Sequence, residues 1–496
     1  MTEVLEQPGT LRRTGTAVLA LAASELLGKV ATFVMFLVMA RLLAVTEFGV
    51  LSFGISLGLL LAVFSSLGLD ARVVQLGSAR PELLDRCYGA LVAIRVVLAI
   101  AVLAVTTVVL LATMRGAHAV TVSLLVASCL IDTVNDASRA ACGARRRQEF
   151  SAFVLVLQRF ATLVLSAGVL VVTGSAIGAA LGYLVATCVG AVAMHGAARR
   201  AGVRAQVRGS RPEVRMILDA APVMGIGAVA AMGVFRIDAA LVTVLLGTTA
   251  AGVYGAGYRI FESVLFVSWT LSRAFAPVIA SRPDDKEHVR LWARRGLVVA
   301  FVVYLPYGAV FALRGDDLVA LLFGEAYVDH GVLLGLAAAP LLFGIMHLAA
   351  SVLLALRPDP TVLTASLVAL VVNVVTNLWL IPVWGLAAAA FATSFAFLLQ
   401  AIVLMVALTK VAGNVVPYRP LLAVVVATVC AGFVAEVVDG VLVALLASVV
   451  VFFAALAAAM RVADPAALVG ARGLVRGGYH PSVAEGRETR DAGAAC

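Results

Sequence analysis

The chain has 496 residues, 62% of them hydrophobic, with only 13% charged side chains and a mean hydropathy of +1.07. A soluble core cannot hide that much apolar surface, so a water-soluble enzyme or binding module is excluded and a bilayer-embedded helical bundle is expected. The formal net charge of +9 does not point to nucleic acid, because 28 of the 37 Lys and Arg fall in alternate loops or the tails, the positive-inside pattern that reports topology and contact with anionic lipid headgroups.

Apolar windows long enough to cross a bilayer predict about fourteen helices, all-α throughout. A cytoplasmic segment, 1–14, precedes a first span over 15–40 that carries Glu25 and Lys29. This run is too long for a signal peptide and is expected to stay as helix one. Spans at 48–67, 88–113, 118–138, 150–172 and 176–198 complete a first set of six, 15–198. They place Arg95 on helix three, Asp132 and Asp136 on helix four and Arg159 on helix five. A basic cytoplasmic linker, 199–218, follows. The second set, 219–408, has spans at 219–245, 250–278, 296–313, 331–355, 361–381 and 384–408, with Arg236 and Asp238 on helix seven and Arg259, Glu262 and Arg273 on helix eight. Between helices nine and ten, Arg314–His330 is the one external loop of any length, with a short helix expected at the interface. Helices at 420–436 and 440–460 precede a cytoplasmic tail, 461–496, that lacks apolar periodicity and is expected to be disordered. An even number of spans agrees with both termini in the cytoplasm. The cysteines Cys87, Cys129, Cys142, Cys188, Cys430 and Cys496 show no CxxC or metal-ligand spacing, so neither a disulfide nor a metal is expected.

Six basic side chains, Lys29, Arg95, Arg159, Arg236, Arg259 and Arg273, sit within these spans. Each costs about 2.5–3.5 kcal/mol at the middle of a bilayer, so a chain needing only an anchor would not carry them. Something polar is expected to bind in, or pass through, a cavity between the helices. Setting aside Asp219 and Glu436 at span ends, five acids, Glu25, Asp132, Asp136, Asp238 and Glu262, also lie within the spans. A strongly positive cavity therefore follows only if most of them pack away from it.

There is an internal echo. Leu42–Gly54 (LLAVTEFGVLSFG) aligns without gaps on Leu245–Gly257 (LLGTTAAGVYGAG), leucines, threonine and both glycines coinciding. Six helices separate equivalent points, so the halves keep one orientation. That describes a parallel repeat about an axis along the membrane normal, with the site between the halves.

Several stretches resemble the polysaccharide transporter branch of the multidrug/oligosaccharidyl-lipid/polysaccharide exporter superfamily. They are Ala40–Gly49 (ARLLAVTEFG), Phe235–Glu262 with its intramembrane aspartate and Gly-x-Tyr turn, Leu322–Tyr327 (LFGEAY), and Asn373–Ser394 with paired asparagines and an Ile-Pro-x-x-Gly turn. The resemblance spans roughly residues 12–460. It implies a flippase that moves a polyprenyl-diphosphate-linked oligosaccharide from the inner to the outer leaflet of the bacterial cytoplasmic membrane by alternating access. It also implies two pseudo-symmetric six-helix lobes plus two C-terminal helices, and a cationic cavity lined mainly by helices one, two, seven and eight. The implied partners are the glycolipid, membrane lipids and other polysaccharide-assembly proteins, with no cofactor and no catalytic residue.

Within that frame Glu25 and Lys29, four apart, share a face of helix one with Thr32 and Phe36. They serve either the cavity or an internal ion pair. Arg259 and Glu262 are neighbours in the same way, and the planar fork of Arg259 suits a diphosphate. Arg236 and Asp238 lie about 200° apart around their helix, which points Arg236 to the cavity and Asp238 to a structural role. Asp132 and Asp136 share a face and suit a proton-coupling site, or else pair with Arg95 and Arg159. Asn373 and Asn377 read as interhelical hydrogen-bond glue. Other readings stay open. A lipid II flippase carries the same diphosphate, and a cation-coupled drug exporter belongs to the same superfamily. A membrane glycosyltransferase or polymerase would need acid–base groups in a sizeable external loop, for which only Asp316, Asp317, Glu325 and His330 are available.

Overall fold

The computed structural model describes residues 26–207, 211–219, 221–357 and 359–463, and among them all regular structure is helical. The helices are α1 (26–42), α2 (Val45–Ser66), α3 (Asp70–Ala79), α4 (Leu84–Thr113), α5 (Gly116–Ala144), α6 (Gln148–Thr173), α7 (Ala176–Arg200) and the short α8 (Arg211–Leu218). They continue as α9 (Ala221–Leu246), α10 (Thr248–Val264), α11 (Phe266–Ala280), α12 (Lys286–Leu322), α13 (His330–Ala337), α14 (Ala339–Leu356), α15 (Pro360–Trp384), α16 (Leu386–Ala412), α17 (Tyr418–Val437) and α18 (Val441–Ala463). Thirteen helical stretches among the described residues are long and apolar enough to cross a membrane. The first expected span begins outside the described residues, and α1 is its described part. The chain is a multi-pass membrane protein.

Hydropathy decides which faces meet lipid. In the most apolar stretch of α4 and its lead-in only 6% of side chains are buried, although its mean hydropathy is 2.8. Val97, Val105 and Val108 are each about two-thirds exposed there, as suits a face turned to hydrocarbon. The opposite holds for α2, whose small and aromatic residues from Phe48 to Ser56 are buried.

One helix, α12, runs past the expected span 296–313 at both ends. α12 begins at Lys286, within the basic stretch 282–295, and continues through Arg314 to Leu322. Arginines make the extension possible by capping neighbours. Arg290 and Arg294 donate to the carbonyls of Ala412 and Asn414, at 2.9 and 2.8 Å, where α16 ends. Arg314 donates to Ala435 and Val438, at 2.6 and 2.7 Å, where α17 ends. Each satisfies carbonyls that a helix terminus leaves free. At the start of α12, Asp285 accepts from the amides of His288 and Glu287, which hold its carboxyl below the usual carboxylate range.

The two ends of the bundle differ. One carries the basic segments around 72–86, 139–147, 199–215, 282–295 and 410–419. At the other, α2 packs against α10, and Thr46 and Thr249 share a hydrogen bond of 2.9 Å. These threonines are equivalents in the internal echo. The LFGEAY stretch joins them there. Phe323 and Tyr327 pack on Phe48, the Tyr327 hydroxyl donates to the Ala40 carbonyl at 3.1 Å, and Arg41 reaches the carbonyls of Leu321 and Leu322. α2 also packs along α9 as far as Leu67 and Gly225, near the basic end.

The span containing α10 and α11 is broken at Leu265. The exposed backbone groups find side chains of α12: the Ser268 amide donates to the Tyr304 hydroxyl at 2.9 Å, and the Tyr307 hydroxyl donates to the Ile260 carbonyl at 2.6 Å. No proline lies at the break. Tyrosine hydroxyls inserted beside the helical ladder accompany it.

Candidate functional site

A cavity of about 280 Å³ lies on the basic side of the Thr46–Thr249 seam, and a second of about 250 Å³ adjoins it. Lys29, Thr32, Phe36, Arg259 and Glu262 line both. The larger also takes Asp132 and Arg139 from α5, Arg159 from α6, Tyr183 from α7, and Phe266, Trp269 and Arg273 from α11. The smaller reaches Leu26 and Val30 of α1, which are 42% and 50% exposed, so its α1 edge is apolar.

The lining charges are unequal. Among the described lining residues, Lys29, Arg139, Arg159, Arg259 and Arg273 stand against Asp132 and Glu262. Glu262 is bonded to two guanidinium groups, Arg236 at 2.5 Å and Arg259 at 2.9 Å. Arg259 also lies 3.7 Å from the ring centroid of Phe36. Asp132 accepts from Gln158 and Asn135 at 2.7 and 2.9 Å and faces Arg159 at 3.5 Å. Lys29 pairs with no carboxylate among the described residues; its ammonium lies 4.9 Å from the centroid of Trp269. Low dielectric walls strengthen the attraction of such a chamber for an anion.

The structure redistributes the sequence-picked residues. Lys29, Arg259, Glu262, Asp132 and Arg159 come together at the cavity, whereas Glu25 lies outside the described residues. Arg236 is not on the lining: it is 3% exposed, set behind Glu262, with Nε and one terminal nitrogen lacking an acceptor. Asp238 is fully buried and accepts from Tyr254 at 2.5 Å, Thr393 at 2.7 Å and the Ala239 amide at 2.7 Å. The expected pairing of the α5 aspartates holds for Arg159 with Asp132 but not for Arg95. Arg95, wholly buried, bonds Asp70 at 2.6 Å and the Thr133 carbonyl. The bend at Leu67–Gly68, where both residues have positive φ, ends α2 and starts α3 with Asp70 in reach of α4. Asp136 instead takes Arg139, one turn along its own helix, at 2.9 Å. Asn377 likewise bonds Asn373 within α15 rather than across helices.

Several lining residues, among them Arg139, Tyr183, Phe266 and Trp269, were not singled out from the sequence. Arg139 follows Asp132 by seven residues, and Glu262, Phe266, Trp269 and Arg273 are spaced 4-3-4 across the break; both spacings mark one helical face. The lining elements also differ from those the resemblance implied. α9, the seventh span, contributes nothing to either cavity, while α5, α6 and α7 do. α9 packs mostly against α2 and α15, and reaches the site through the Arg236–Glu262 pair behind the wall.

A profile of the family described as polysaccharide biosynthesis protein matches residues 38–331, more than half of the chain. The chain belongs to that family. A probable flippase AglR of Haloferax volcanii is 30% identical over 185 residues, covering 35% of this chain and 39% of the relative, so the match spans about two fifths of the relative's length. Among solved structures, the lipid II flippase MurJ in an inward closed conformation superposes with a TM-score of 0.71 at 12% identity, covering 89% of this chain and 98% of that one. An inward-facing multidrug resistance MATE family transporter of the MOP superfamily gives 0.62 at 14% identity, over 77% and 94%. A MOP superfamily transporter from Pyrococcus furiosus, whose binding pocket is described as reversed in polarity, gives 0.59 at 14% identity, over 80% and 96%. This family member therefore has the MOP transporter fold.

Proposed function

We propose that this protein is a flippase for a polyprenyl-diphosphate-linked oligosaccharide in the bacterial cytoplasmic membrane, working by alternating access without a catalytic step. The observation that carries the reading is the cation excess among the described lining residues, where Lys29, Arg259, Arg159, Arg139 and Arg273 outnumber Asp132 and Glu262. Guanidinium forks match phosphate oxygens. The apolar α1 edge at Leu26 and Val30 would let an isoprenoid tail stay in lipid while the headgroup enters. Family membership and the partial likeness to a probable flippase support the same activity.

In this reading the basic end is cytoplasmic, residues 15–198 and 219–408 act as two lobes, and 420–460 flank the second. The conformation described is closed at the external end by Thr46, Thr249 and Tyr327. Reconstitution in liposomes with a defined polyprenyl-diphosphate glycan tests it. Arrival of the glycan in the opposite leaflet, lost in Arg259→Ala, is the expected result; transfer at the rate of empty liposomes overturns it. A drug exporter is the second reading, but a cationic drug would meet repulsion at these cations.

A further inference from the structure

Trp269 occupies a distinctive place in the cavity. It sits one turn beyond the break at Leu265, is half-buried, and is steadied by an edge-on contact with Phe343, centroids 6.2 Å apart at 88°. Its neighbours on the wall are the cations that would hold a diphosphate. One face of its indole carries the Lys29 ammonium. The electron-rich face of an aromatic ring attracts positive charge, whether a full charge or the partial charges on C–H groups. The carbon-bound hydrogens on one face of a pyranose present such a surface. Lys29 is suited to vacate the position, because an ammonium on a four-carbon stem swings where a guanidinium clamps. Phe36, another aromatic on the wall, is less available, because Arg259 covers it at 3.7 Å.

We infer that Trp269 is the platform for the first sugar of the headgroup, exposed when Lys29 leaves its face for the diphosphate. This rests on the flippase reading above and adds to it a recognition residue for sugar as distinct from phosphate. Charge selects the carrier and the ring selects the glycosylated form. Trp269 is thus a specificity-determining residue, and a bare diphosphate lipid would not need it.

The test compares two probes on the full-length protein in nanodiscs: undecaprenyl diphosphate, and the same lipid bearing a single hexose. The unmodified protein is expected to bind both. Trp269→Leu is expected to weaken the hexose-bearing lipid about tenfold while shifting the bare lipid by less than about twofold, and Trp269→Phe to restore most of the difference. Equal losses for both lipids, or no loss for either, overturn the assignment, since a ring that only shapes the cavity would not tell them apart. If the unmodified protein binds neither lipid, the anion reading falls and this inference with it. If it binds the bare lipid at least as well as the hexose-bearing one, the anion reading survives and the platform does not.

Discussion

Gly49 and Gly252 meet backbone to backbone, each fitted against the other's helix: a Cβ on Gly49 would lie 1.8 Å from the Thr248 carbonyl oxygen, and one on Gly252 would lie 2.3 Å from that of Val45. The contact is reciprocal. Val45 and Thr248, Thr46 and Thr249, and Gly49 and Gly252 are all 203 positions apart, so α2 and α10 cross about a local two-fold axis. Only glycine permits that approach.

Gly49→Ala is expected to pry this seam open. Overpacking costs typically about 1–3 kcal/mol, enough to shift an equilibrium between closed and open forms by roughly tenfold. The check is the labelling rate of a cysteine placed at Thr46 by a membrane-impermeant maleimide, which should rise. Unchanged labelling together with normal transfer would refute the role of the seam.

Linking the paired threonines should do the reverse. Their hydroxyl oxygens are 2.9 Å apart, so the Thr46→Cys/Thr249→Cys protein is expected to crosslink under mild oxidant. Glycolipid transfer should stop and return on reduction. A crosslinked protein that still transfers at the normal rate would show that these helices need not part.

Glu262→Gln should unsettle the protein itself. The carboxylate holds both Arg236 and Arg259, which are 3% and 8% exposed. Removing one partner of a buried ion pair costs about 3–5 kcal/mol because the other charge is left uncompensated. A lowered unfolding temperature in detergent is expected, partly recovered by adding Arg236→Met. No recovery in the double variant would mean that the cations are not the source of the loss.

Lys29→Met and Arg95→Met should separate binding from stability. Lys29 faces the cavity and its replacement is expected to weaken a diphosphate lipid by about tenfold with little change in unfolding temperature. Arg95 is wholly buried on Asp70 and the Thr133 carbonyl, and its loss should cost about 2 kcal/mol of stability and leave affinity unchanged. Equal affinity losses in the two variants would undo the distinction.

Much of this architecture was legible in the chain itself. Hydropathy marks the spans because lipid is the solvent for their outer faces, and the echo between Thr46 and Thr249 marks a real contact. The choice of ion-pair partner was not legible. Arg95 takes Asp70 rather than an α5 aspartate because a bend at Leu67–Gly68 redirects the chain, and no periodicity encodes that. Hydropathy also cut α12 short at both ends, since Arg290, Arg294 and Arg314 read as loop residues while their side chains reach carbonyls of adjoining helices. Trp269 was overlooked because one tryptophan in an apolar run gives no sign of facing a chamber until its neighbours are known.

The interruption at Leu265 divides the receptor surface. Arg259 and Glu262 ride on the segment fastened to the glycine crossing; Trp269 and Arg273 ride on the next one. On the flippase reading, a ligand that contacts Arg259 and Trp269 together would bridge this interruption, so its fit would depend on how the two segments of one membrane span are set against each other.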